Sequence, residues 1–262
     1  MNVLKKSWHK IKENKLRIAA LFLMQLVFFT LIAFINVKYQ LQLAESANAL
    51  IAPLQSANYN ADSIQSGVPF LENIGQIYEA YQKIMSALKK LIGFQLAAFL
   101  TIGVLLWTLT QTLGKKINVK HLGKLYLHLL GRALVFIVPL FVMIYILLQI
   151  AFENAFEATG QTLDTVYIAV ALFFIGMYFL IICLAQERKT IIQNARSALV
   201  MSVKKIHYLL GSLLIIAAAI AITGYAIYFA LEYSLILLTL SIILFVLAFV
   251  IGRIIFIEVV QS

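Results

Sequence analysis

Apolar residues gather into six long runs, at 16–37, 91–113, 133–152, 165–185, 208–230 and 234–257, separated by polar stretches. About 18 or more consecutive apolar residues suffice to cross the hydrocarbon core of a bilayer as a helix. The pattern therefore predicts an all-α polytopic membrane protein with six spans, forming one membrane domain over 1–262. Three times a basic, partly amphipathic stretch leads into a pair of apolar runs. That rhythm predicts three hairpin repeats, an arrangement that recurs in membrane proteins. Short matches fall where the basic stretches enter the spans: SWHKI (Ser7–Ile11) with SVKKI (Ser202–Ile206), and HLLGRAL (His128–Leu134) with HYLLGSL (His207–Leu213).

Periodicity within the basic stretches changes the picture further. In 188–206, Ile191, Ile192, Ala195, Leu199, Val203 and Ile206 recur at helical spacing, with the charged residues mostly off that stripe. In 115–130 a less regular stripe comprises Ile117, Leu122, Leu125 and Leu129, and near the N-terminus Leu4, Trp8 and Ile11 share a face. A charged face over an apolar one reads as a helix lying in the membrane interface, and equally as a connector that obeys the charge rule. The segment 38–90 is too long for a simple turn. It has helix-like arms, Tyr39–Ile51 and Pro69–Lys90, around a polar middle, QSANYNADSIQSG. Long loops are usually functional or disordered, and the periodicity favours an extracytoplasmic helical hairpin. Its second arm would run straight into the second span, and the hairpin would offer a surface to a protein partner or another copy of the chain.

Charge orients the chain. Of 262 residues, 63% are hydrophobic and 12% charged, half the charged share of a soluble domain. The 21 Lys and Arg outnumber 11 Asp and Glu, giving +10. Summed over alternate segments, one side holds 17 basic and 3 acidic residues and the other 4 and 8. The positive-inside rule then puts both termini in the cytoplasm and explains the basic excess without nucleic acid. The cytoplasmic bases Lys115, Lys116, Lys120, Lys124, Arg132, Arg188, Lys189, Arg196, Lys204 and Lys205 are candidates for contact with anionic lipid headgroups, at about 1 kcal/mol each. Leu16–Val37 is too long for a signal-peptide core, with no small-residue cleavage site directly after it, and is expected to stay as a helix.

Candidate chemistry is sparse. Catalysis and ion coupling leave ionisable groups inside spans. Here none is found outside the boundary turns; Arg253 lies near the cytoplasmic end of the sixth run and is expected to snorkel. Gln25 and Gln95 can bond another helix or line a polar pathway. His121 and His128 share a helical face with no carboxylate or cysteine to complete a metal set. Cys183 stands alone, so no intrachain disulfide forms. No phosphate loop, HExxH, GxSxG or buried carboxylate pair occurs, so no catalytic residue, metal or cofactor is assigned. Pro139 is expected to kink the third span. Ala217, Ala221 and Gly224 line up as a small face for close helix contact.

The stretch NARSALVMSVKKIHYLLGSLLI, Asn194–Ile215, resembles a pattern in prokaryotic six-span families of the YciC type and in the membrane domain attached to some glycerophosphodiester phosphodiesterases. In these, a basic amphipathic helix with a small residue and Ser precedes a span, and hairpins repeat. The resemblance implies a multi-pass protein of a prokaryotic plasma membrane. The phosphodiesterase activity does not carry over, because no catalytic domain is attached. The expected function is that of a non-catalytic membrane protein that organises lipid or assists a membrane complex. The alternatives are a permease or channel for an uncharged or amphiphilic solute and, further off, a lipid-active enzyme.

Overall fold

The structure, a computed structural model, describes residues 2–56, 68–115, 118–156, 162–186 and 191–262. Described secondary structure is entirely helical: α1 (Asn2–Glu13), α2 (Lys15–Ser56), α3 (Val68–Ala98), a π-helical turn (Phe99–Gly103), α4 (Val104–Gln111), α5 (Val119–Phe156), α6 (Thr162–Ala185), α7 (Ile191–Lys204), α8 (Ile206–Tyr233) and α9 (Leu235–Gln261). Five helices are long and apolar enough to cross a membrane: Lys15–Ala49, Gly75–Gln111, Val119–Leu147, Ile206–Tyr233 and Leu235–Gln261. The apolar stretch Val170–Ala185 of α6 is shorter. The chain is thus a multi-span membrane protein by length and composition. Pro139 lies within α5, and the helix runs on through it to Phe156.

The chain divides into two units, 1–28 with 99–262, and 29–98. The smaller holds the rest of α2 and all of α3. The two helices run antiparallel, since Asn36 pairs with Gln95 and Tyr39 stacks on Phe94 at 5.8 Å. Ala80, Ile84 and Ala87 form a buried stripe on α3, and Ile35, Tyr39 and Ser46 one on α2. Small side chains at three- and four-residue spacing permit close helix approach. The described arms of 38–90 are helical throughout; most of the polar middle, 57–67, lies outside the described residues. The first arm is no separate helix, because nothing between Val37 and Tyr39 breaks the α-helical ladder of the 42-residue α2.

In the larger unit, packing concentrates at one end. One cluster joins Ile182, Cys183 and Ala185 of α6 to Ala198 of α7, Leu209 of α8, and Phe256, Ile257 and Val260 of α9. A second joins Leu21 of α2, Leu106 of α4, Leu113 just beyond it, and Val250 and Ile254 of α9. Lipid tails are as apolar as these side chains, so van der Waals fit and hydrogen bonds, not exclusion from water, hold such helices together.

Glycines set the closest approaches. A Cβ at Gly252 would lie 2.7 Å from Ile216 Cγ2, and one at Gly176 2.6 Å from Leu140 Cδ2. The expected small face of Ala217, Ala221 and Gly224 is not the contact: both alanines are exposed, and Gly224 meets only Phe245 at ordinary distance. The small residue that admits α8 belongs to its partner, α9. Gly252→Ala should therefore destabilise the unit by about 1–3 kcal/mol through overpacking, read as a lower melting temperature in detergent. Ile216→Ala in the same chain should recover most of the loss, because β-branched Ile216 has few rotamers into which to retreat.

Candidate functional site

The last four carbonyls of an α-helix have no partner within the helix, and away from water each such group costs free energy unless something donates to it. α6 ends among packed helices, and four side chains from four other helices meet its end. Asn194 Nδ2 of α7 donates to Cys183 O at 2.8 Å, and Arg132 Nη1 of α5 to Gln186 O at 2.7 Å. Gln261 Nε2 of α9 donates to Ala185 O at 3.3 Å, and Gln111 Nε2 of α4 to Leu184 O. Arg132 also sets a positive charge at the negative end of the α6 dipole.

Gln111 is the last residue of α4 and Gln261 the last of α9, so three helix C-termini adjoin. The other two are also met by cations. Arg17 Nη1 donates to Thr112 O at 3.1 Å and Lys115 O at 2.9 Å, where the chain turns through Gly114 at φ 80°. Lys10 bonds the Glu258 carboxylate near the end of α9, and Lys6 pairs with it at 2.9 Å. Glu258 is only 2% exposed. Two ammonium groups offset both its desolvation and its unfavourable place at a helix C-terminus.

Deeper in α9, Arg253 departs from expectation. It does not snorkel. Its Nη2 donates to Gln25 Oε1 of α2, and its guanidinium stands 5.7 Å from the Trp107 ring centroid of α4. Arg253 is eight residues from the end of α9, about 12 Å along the axis, so a buried amide and an aromatic face serve it in place of water. Gln25, 1% exposed, thus bonds another helix. Gln95 bonds Asn36 Oδ1 at 2.6 Å, an interhelical partner not singled out in the sequence.

The expected lipid-facing bases divide. Lys115, Lys120, Lys124, Arg196 and Lys204 are exposed and Lys205 half-exposed. Arg132 is corrected: at 2% exposure it lies inside, held on Gln186 O. Lys116, Arg188 and Lys189 lie outside the described residues. α7 carries its amphipathicity outward. Asn194, Ala198 and Ser202 are buried against the protein, while Leu199, Val203 and Ile206 are 51%, 71% and 46% exposed. In α1 the stripe divides: Leu4 and Trp8 are exposed, whereas Ile11 is half-buried against the second cluster, and Ser7 beside them is buried. The first turns of α5 differ: Leu122 and Leu125 are half-buried and Leu129 is buried, so that stripe faces the protein.

His121 is exposed, its backbone N–H bonded to Asn118 Oδ1 at 2.9 Å, and His207 lies against Tyr208. Among the described residues, no group of three His, Cys, Asp or Glu is placed to hold a metal ion. Asn194, Gln186 and Gln261 carry no sequence motif. Gln186 takes part through its backbone carbonyl, and the one signal of Gln261 is an amide side chain just past a predicted span end.

Removing a cap leaves a buried carbonyl unbonded. Arg132→Ala should cost about 1.5–3 kcal/mol, as hydrogen bonds to charged groups do, whereas Lys120→Ala on the surface of the same helix should shift the melting temperature little. Comparable losses in the two variants would refute the capping role.

No family model, curated protein or solved structure matches the chain, so its function is argued from this face of the molecule.

Proposed function

We propose that the chain is a non-catalytic six-span membrane protein, both termini cytoplasmic, whose basic face engages anionic lipid and so organises lipid around a membrane complex. The observation that carries this reading is the outward stripe of α7, Leu199 and Val203, continued by Ile206 at the start of α8 and exposed beside exposed Arg196 and Lys204. Exposed apolar residues rimmed by cations suit the boundary between headgroups and acyl chains. A polar stripe turned inward does not suit a helix lying free in water.

Three features support the architecture. α6 is 24 residues long, enough for a sixth span. The C-termini of α4, α6 and α9 meet cations at one face, as alternating spans with a basic inner side would. α1 passes into α2, and α7 into α8, through single-residue breaks at Asn14 and Lys205, whose carbonyls each accept from the first turn of the following helix, from Ile18 N and Leu209 N; this common entry supports the repeat. α2, at 42 residues, is about 63 Å long, twice the hydrocarbon thickness of about 30 Å. That length supports an extracytoplasmic place for much of 38–90, where it would meet a protein partner.

Orientation is tested by single cysteines in a Cys183→Ser chain. Glu45→Cys and Tyr233→Cys should label from outside, and Lys120→Cys and Lys204→Cys only after permeabilisation; outside labelling at Lys120→Cys would reverse the topology. Lipid engagement is tested by gentle purification and identification of retained lipid. Anionic phospholipid should be enriched over zwitterionic. Lys120→Ala/Lys124→Ala/Arg196→Ala/Lys204→Ala should lower that enrichment at least about tenfold, given about 1 kcal/mol per base. Equal retention of both headgroup classes by the unaltered protein would refute the reading.

A further inference from the structure

A crevice of about 350 Å³ opens between α1 and α9. Its walls are Leu4, Trp8 and Ile11 on one side and Ile251 and Ile255 on the other, with Ser7 and Lys5 completing the lining. Ser7 is 2% exposed, and its Oγ has no hydrogen-bond partner among the described residues. A buried hydroxyl left unbonded keeps the cost of its desolvation, so native structures seldom hold one without a use. Above it Trp8 is 57% exposed, with Lys12 Nζ 5.6 Å from its ring centroid, and Lys5 is exposed. Below, the Lys6 and Lys10 pair on Glu258 ties α1 to α9, so the crevice is a built feature.

We infer that this crevice holds one acyl chain of an anionic phospholipid. The apolar walls take the first part of the chain. Ser7 Oγ donates to an ester oxygen at the glycerol end, where a lipid first becomes polar. Lys5 and Lys12 meet the phosphate. This combination selects an amphiphile with an anionic head over a plain hydrocarbon, which would leave Ser7 unbonded, and over a soluble anion, which has no use for five apolar walls. A peptide helix is the other class of apolar occupant, and a lone narrow slot beside a membrane-facing tryptophan fits a chain better than a helix. The inference rests on the lipid engagement proposed above and adds to it one site of defined stoichiometry.

The test uses the full chain in nanodiscs containing phosphatidylglycerol with a diazirine near the acyl carbonyl, and separately the matching phosphatidylcholine probe. Crosslinks are mapped by peptide mass. Phosphatidylglycerol should label segments 4–11 and 251–255 at up to one lipid per chain, at least fivefold above the phosphatidylcholine probe. Ile251→Phe/Ile255→Phe, which fills the crevice, should abolish that labelling, with the melting temperature as the control for folding. Ser7→Ala makes no steric demand. It should lower the labelling severalfold, which keeps the inference open to refutation should the filled variant fail to fold. Labelling that follows exposed apolar surface, as at Ile215 and Ile222 of α8, and is indifferent to both variants would overturn the crevice while leaving a general preference for anionic lipid intact. Equal labelling by the two probes at every site would overturn both.

Discussion

A helix that stops among other helices, out of reach of water, leaves carbonyls that something must bond. The larger unit is arranged around that constraint. α4, α6 and α9 end together, and each end recruits donors from elsewhere in the chain: Arg17 for the turn after α4; Arg132, Asn194, Gln111 and Gln261 for α6; Lys6 and Lys10 for Glu258 on α9. The partners are far apart in sequence, Arg132 and Gln186 by 54 residues and Lys10 and Glu258 by 248. Each bond therefore closes the fold as well as satisfying a carbonyl or carboxylate. The two apolar clusters lie around these same ends, whereas at the α8–α9 turn Tyr233, Leu235 and Ile236 stay 63–80% exposed.

Basic charge consequently has two destinations. Lys6, Lys10, Arg17, Arg132 and Arg253 are engaged within the protein, while Lys120, Lys124, Arg196 and Lys204 point outward. Both uses favour the same side. Helix C-termini attract cations, and the inner side of a membrane carries the basic excess. If the spans that return to that side are the ones whose C-termini lie there, a single asymmetry of charge serves orientation, capping and lipid contact together.

This division marks how much was legible in sequence. The helical class and the presence of several membrane-length helices followed from apolar runs alone, because in lipid a backbone has few other ways to satisfy itself. The α7 stripe was legible too, but not the direction it faces. Periodicity marks a stripe without saying what it meets, and here the inward face is the polar one, Asn194 and Ser202 with Ala198 between. Arg132 read as an ordinary member of a basic count and Arg253 as a snorkelling one, since nothing local distinguishes an arginine that bonds within the protein from one that reaches for headgroups. Gly252 was passed over for the more regular Ala217, Ala221 and Gly224, because close approach depends on Ile216 opposite it and not on a run of small residues.

The polar contacts that tie α1 and α7 to the bundle make one further step possible. An amphipathic helix that merely floats at the interface keeps its polar face in water and can leave. α7 bonds α6 through Asn194, and α1 holds α9 through Lys6 and Lys10, so each helix is tied to the bundle while its remaining charges stay exposed. On the lipid engagement proposed above, such helices would be fixed fittings whose exposed leucines, valines and tryptophan meet the headgroup zone. A fixed fitting shapes the lipid beside it, because lipid adapts to a surface that cannot retreat. On that same proposal, the ion pairs at Glu258 would matter for more than stability, since they hold α1, with Leu4 and Trp8, against α9.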